Sequence, residues 1–233
     1  MNEYKTQLLH VRRGLMWMIA GYVWFMVTFV GGMTLMEAII ADVPYHLRCP
    51  YYRYESTVAI TSKLVFVGMQ LVAAWYCWQC PKEVIRWGKT WIFTSAAFYG
   101  VFLLAVLSMT FLDTELGRQY FQGNMFALGT ITRRTAVWCF GISAWFWLYF
   151  LLKLARGIRS SAGTLAGRGA IFLFTVAGFC TMFFFEIMIP FHEYFLNAYP
   201  ARIVMYTAWF SGFAFMGLYA CLLPWLWWRI GRL

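Results

Sequence analysis

Long apolar runs alternate with short polar ones from about residue 15 to the end of the chain. Six runs stand out, at about 15–40, 57–79, 91–112, 135–153, 170–190 and 203–228. Several reach the roughly 20 residues that an α-helix needs to cross the hydrocarbon of a bilayer. Backbone groups in lipid must be satisfied within their own segment, so each run predicts a helix. The strict apolar/polar alternation of a transmembrane β-strand is absent. The pattern therefore predicts an all-α polytopic membrane protein, a bundle of six transmembrane helices. The whole chain, 1–233, reads as a single membrane domain. The longest polar connections are 41–56, 113–134 and 154–169, too short for a further domain.

Composition strengthens this reading. Hydrophobic residues make up 62% of the chain and charged residues 12%, with a mean hydropathy of +0.64. Soluble domains hold about 25% charged residues, so this chain has too little polar surface to cover itself in water. The N-terminal stretch MNEYKTQLLHVRRGLMWM has a charged lead like that of a secretory signal. The apolar run behind it is too long for a signal core, and predicts an uncleaved first span.

The formal net charge is +10. In a water-soluble chain that would invite nucleic acid; in a membrane chain the first question is which side holds it. With six crossings, one side carries Lys5, Arg12, Arg13, Lys82, Arg86, Lys89, Lys153, Arg156, Arg159, Arg168, Arg229 and Arg232, against Glu3 and Glu83. The other side carries Arg48, Arg53, Lys63, Arg118, Arg133, Arg134 and Arg202, balanced by Glu37, Asp42, Glu55, Asp113, Glu115, Glu186 and Glu193. The excess thus sits on one face. The positive-inside rule then puts both termini in the cytoplasm, and the charge needs no nucleic acid to explain it. Short loops suggest the inner (cytoplasmic) membrane of a bacterium, with the lipid bilayer as the first partner. The basic face could also attract anionic lipid.

Tryptophan and tyrosine gather at the predicted span ends, among them Trp75, Trp78, Trp87, Trp91, Trp225, Trp227 and Trp228 on the basic side. They read as interfacial belts.

Polar groups within apolar runs are candidates for function, because burying charge in lipid is costly. Glu37, Lys63, Glu186, His192 and Glu193 fall at similar depth near the outer ends of their spans. They could form an outward-facing polar cluster, or simply lie at the interface. Gln70, near the middle of the second span, reads as an interhelical hydrogen-bonding residue. The pairs Ala96/Gly100 and Ala208/Gly212 would permit close helix contact.

Cys77 and Cys80, in "YCWQCPK", could be a redox pair, half a metal site, or small packing residues. On the cytoplasmic side thiols stay reduced. A metal would need two further ligands, which neighbouring loops lack, so no metal is expected. Lys82, Arg86 and Lys89 could lower a thiol pKa and leave some redox character. The packing role is the expected one.

His10, His46 and His192 fall in separate segments, which argues against bis-histidine haem. No phosphate-binding glycine loop, H-E-x-x-H or G-x-S-x-G occurs. No cofactor is expected, and the balance leans away from an enzyme. Three classes stay open. The first is an accessory, assembly or interaction component with a membrane-protein partner or a second copy. The second is a small-solute transporter or channel using the polar cluster. The third is an enzyme acting on a lipid or quinone at the outer face.

Overall fold

The structure is a computed structural model, and it describes residues 3–32, 34–35, 38, 49–112, 125–183 and 199–233. Six α-helices occur among these residues, and no strand. They are α1 (Glu3–Phe25), α2 (Cys49–Cys77), α3 (Gly88–Leu112), α4 (Met125–Gly157), α5 (Ser161–Phe183) and α6 (Tyr199–Gly231). A π-helical segment, Met26–Gly31, follows α1. Helices α2 to α6 are long and apolar enough to cross a membrane. The chain is accordingly a multi-pass membrane protein. Helix α1 begins with Glu3, Lys5, Arg12 and Arg13, and part of the predicted first span lies outside the described residues.

Each helix packs against the next in sequence, and α6 returns to α1, so the bundle closes on itself. The start of α1, the α2–α3 turn, the α4–α5 turn and the end of α6 meet at one end. Gly14 of α1 lies so close to α2 that an added methyl would sit 2.5 Å from Cys77 Sγ and 3.0 Å from the Ala73 carbonyl. Gly157 rests on the Val84 backbone and so joins the two turns. The Arg12 guanidinium lies 4.2 Å from the centre of the Trp227 ring and beside Gly231, closing α1 onto α6. Leu15, Met18, Phe150, Leu151, Leu154, Leu222, Leu223 and Leu226 fill the interior of this end.

Two hydroxyl pairs join helices. Ser95 Oγ donates to the Ser143 carbonyl at 2.9 Å, and Ser143 Oγ donates to the Ser95 carbonyl at 2.7 Å. Both serines are fully buried between α3 and α4. In the π segment, Thr28 Oγ1 donates to the Trp24 carbonyl at 2.7 Å. Its one proton is then committed, so Ser62 Oγ of α2 is the donor in the 2.5 Å contact between the two hydroxyls.

Several helix boundaries depart from the hydropathy pattern. Helix α2 begins at Cys49, α4 at Met125 and α5 at Ser161, each eight or more residues before its apolar run. The predicted connection 154–169 is in fact a three-residue turn, 158–160. It closes α4 with paired bonds, from Ser160 N to the Ala155 carbonyl (2.9 Å) and from Arg159 N to the Arg156 carbonyl (3.0 Å). Arg159 takes the left-handed conformation (φ 53°) that this cap requires. Glycine is usual there, because an L side chain costs about 1–2 kcal/mol. Ser160 then caps α5, its Oγ accepting from Gly163 N and from Trp225 Nε1, both at 3.1 Å. Gly163 and Gly167 lower the local hydropathy, but Gly167 seats α5 against Leu152.

Candidate functional site

Of the five residues in the outward-facing cluster, Glu37, Glu186, His192 and Glu193 lie outside the described residues. Lys63 is half-buried on α2 and is engaged with a neighbour. Gln70 is buried, 2% exposed, where α2 meets α1. Among the described residues its Nε2 has no hydrogen-bond partner, and it faces Gly21, where an added methyl would lie 2.9 Å away. The amide therefore fills the space left by a glycine of α1.

Cys77 and Cys80 are not bonded to each other, and both are buried. Cys77 is the side chain that packs onto Gly14, so its small size is what the contact uses. Burial, followed by the charge of Glu83, pushes the Cys80 thiol up to about 12. That is opposite to the lowering that neighbouring basic residues could produce. The cations point elsewhere: Lys89 lies 5.8 Å from the Trp78 ring centre and Arg86 5.9 Å from that of Trp87. Thiolate chemistry needs a thiol at or below its ordinary range, so Cys80 is a poor nucleophile as placed. Among the described residues, no three His, Cys, Asp or Glu side chains gather to hold a metal ion.

The end of the bundle that holds the turns also carries a rim of cations over aromatic rings. Arg232 stands 3.8 Å from the Trp228 ring centre, and Lys153 lies 5.8 Å from that of Trp91 and 5.2 Å from that of Tyr149. Such pairs lower the cost of holding charge beside hydrocarbon.

Two clefts open at this end. One, of about 340 Å³, lies at the α2–α3 turn between Gln7, Trp78, Lys82, Glu83 and Lys89. It holds both signs of charge. The other, of about 520 Å³, lies at the α4–α5 turn. Its lining is Arg156, Arg159, Ser160, Ser161, Thr164, Leu165 and Arg168, with no carboxylate. Sequence reasoning spread these arginines along a loop. The short turn instead draws them together, and the signal for it was Ser160 three residues before Gly163, a cap ahead of a new helix.

The apolar faces differ as well. Only 11% of the spanning residues of α5 and 17% of those of α6 are buried, against 44% in α4. On α6, Tyr206, Phe210, Phe213, Ala214, Gly217 and Cys221 are all exposed along one side. A methyl added at Gly217 would meet nothing within 4 Å. A search of protein-family models, of curated proteins and of solved structures finds no match to this chain.

Proposed function

We propose that the protein is an accessory or interaction component of a membrane complex, without a catalytic role of its own. The observation that carries this reading is the exposed face of α6. There the small residues Ala214, Gly217 and Cys221 are exposed, one after another, beyond the bulky Phe210 and Phe213. Lipid offers no hydrophobic drive between helices, so association depends on close backbone approach at small residues with larger side chains around them. Within this bundle the same device seals α1 to α2 at Gly14. On α6 the corresponding groove is open, which fits a helix from another chain.

The bundle supports six crossings with both termini in the cytoplasm. The α2–α3 and α4–α5 turns and the two chain ends share one end, and the basic rim lies there. By the positive-inside rule that end is cytoplasmic, as in a bacterial inner membrane.

Purification of the full chain in mild detergent, with mass spectrometry of what accompanies it, tests the role. A stoichiometric membrane partner is expected, lost on Gly217→Leu and kept on Gly100→Leu, whose site on α3 is also open. Unchanged melting of both variants would show that the bundle itself is intact. A preparation without a partner, or one indifferent to Gly217→Leu, overturns the proposal.

A further inference from the structure

The cleft at the α4–α5 turn carries an inference independent of any protein partner. Arg156, Arg159 and Arg168 line one concavity of about 520 Å³. All three are exposed, and none of their guanidinium groups has a hydrogen bond, ion pair or ring contact among the described residues. This separates them from Arg12, Arg86, Lys89, Lys153 and Arg232, each of which lies over an aromatic ring. Three like charges around a space without a carboxylate repel one another unless an anion enters. Guanidinium groups match phosphate oxygens with paired hydrogen bonds, and the hydroxyl of Ser161 adds a further donor at the wall.

A second observation tells what kind of anion this is. Leu165 lines the same cleft and is 73% exposed, with Phe172 at 67% and Phe179 at 70%. These residues stand seven apart on α5, so they fall on one face. The stripe leads from the cleft into the spanning part of the helix. From Leu165 to Phe179 it runs about 21 Å. One leaflet of hydrocarbon is about 15 Å deep. A chain anchored at the turn would stay against the stripe for its whole length.

We propose that the α4–α5 turn binds the phosphate of an anionic phospholipid between Arg156, Arg159 and Arg168, with an acyl chain lying along Leu165, Phe172 and Phe179. The backbone at Arg159 agrees with this. Its left-handed conformation is one that glycine would adopt with less strain, yet an arginine stands there. Headgroup charge and acyl length are read together, so a soluble phosphate meets only half of the site.

The test uses the full chain in mild detergent and native mass spectrometry, with phosphatidylglycerol or phosphatidylcholine added at equal concentration. Retained phosphatidylglycerol is expected to exceed phosphatidylcholine at least fivefold. Arg156→Gln with Arg168→Gln should abolish that preference. Arg159→Gly should lower phosphatidylglycerol retention severalfold while leaving the melting temperature equal or higher, which a structural role for the arginine would not produce. Phe172→Ser should lower retention without removing the headgroup preference. Lys82→Gln with Arg86→Gln, on the same rim but outside the cleft, should change nothing. Equal retention of the two lipids overturns the proposal. So does an equal loss in the Lys82/Arg86 variant, which would mean rim charge alone. Displacement of the lipid by millimolar inorganic phosphate would mean a free-anion site and would overturn it too.

Discussion

The two halves of the bundle are held together differently. At the end with the turns, backbones touch: Gly14 against Cys77 and Ala73, Gly157 against Val84, Gly167 against Leu152. Large apolar side chains such as Phe150, Leu154 and Leu226 are fully enclosed there. Farther along the helices, Phe179 on α5 and Trp209, Phe210 and Phe213 on α6 are exposed. Glycines in open positions, Gly178 and Gly212, meet nothing. Lipid solvates an exposed phenylalanine as well as a protein interior does, so exposure there carries little penalty. What decides packing in a membrane is where small residues let two backbones approach, and where a hydroxyl can find a partner. The difference teaches that one end acts as the clasp of this fold, while the rest leaves its faces to lipid or to a partner.

The hardest way to break this comparison is to add a single methyl at the clasp. Gly14→Ala puts a carbon 2.5 Å from Cys77 Sγ and 3.0 Å from the Ala73 carbonyl. The sulfur could turn aside only by changing rotamer in a buried site, and the carbonyl cannot retreat without moving α2. Overpacking of this kind costs about 1–3 kcal/mol. Unfolding in mixed micelles, followed by the fluorescence of the 13 tryptophans, should report it. An unchanged midpoint would mean that α1 and α2 separate easily, and the clasp would lose its main support.

A smaller effect is expected at the serine pair between α3 and α4. Each hydroxyl has one proton, and each donates it to the carbonyl across the interface. The 2.8 Å contact between the two oxygens is therefore not a third bond. Ser95→Ala or Ser143→Ala should each cost about 0.6 kcal/mol, within the usual range for hydrogen bonds between membrane helices. The double variant should cost about the sum of the two singles, because each hydroxyl donates to a backbone carbonyl that the other substitution leaves in place. A double variant that costs much less than that sum in the same unfolding assay would mean that the two hydroxyls act as one unit.

How much of this was legible beforehand depends on which physical cause was at work. The spanning parts of α2 to α6 follow from hydropathy, because lipid imposes that signal on every crossing residue. The α4–α5 turn did not follow. Gly163, Thr164, Gly167 and Arg168 dilute the apolar signal, although the glycines are there for packing and the arginine lies at the rim. The roles of Gly14 and Cys77 were hidden because they depend on the rotation of two helices about their axes, which no linear pattern records. The cleft was hidden for the same reason, since Arg156 and Arg168 become neighbours only once the turn is short. In the outward-facing cluster, Lys63 is described, and Glu37, Glu186, His192 and Glu193 fall outside the described residues.

An effect of the opposite sign sharpens the comparison most. Ala96/Gly100 on α3 has the small-residue spacing associated with close helix contact, as does Ala208/Gly212 on α6. Yet a methyl added at Gly100 or Gly212 meets nothing within 4 Å. Spacing alone cannot separate a glycine that faces a helix from one that faces lipid. Gly100→Ala is the same change as Gly14→Ala, on a neighbouring part of the same bundle. Without a collision, only helix propensity remains, which favours alanine over glycine by up to about 1 kcal/mol. The expected outcome is an unfolding midpoint that stays level or rises slightly, opposite in sign to Gly14→Ala. Equal losses at both positions would mean that the whole length of the bundle is tightly packed. The distinction between a clasped end and an open half would then be wrong.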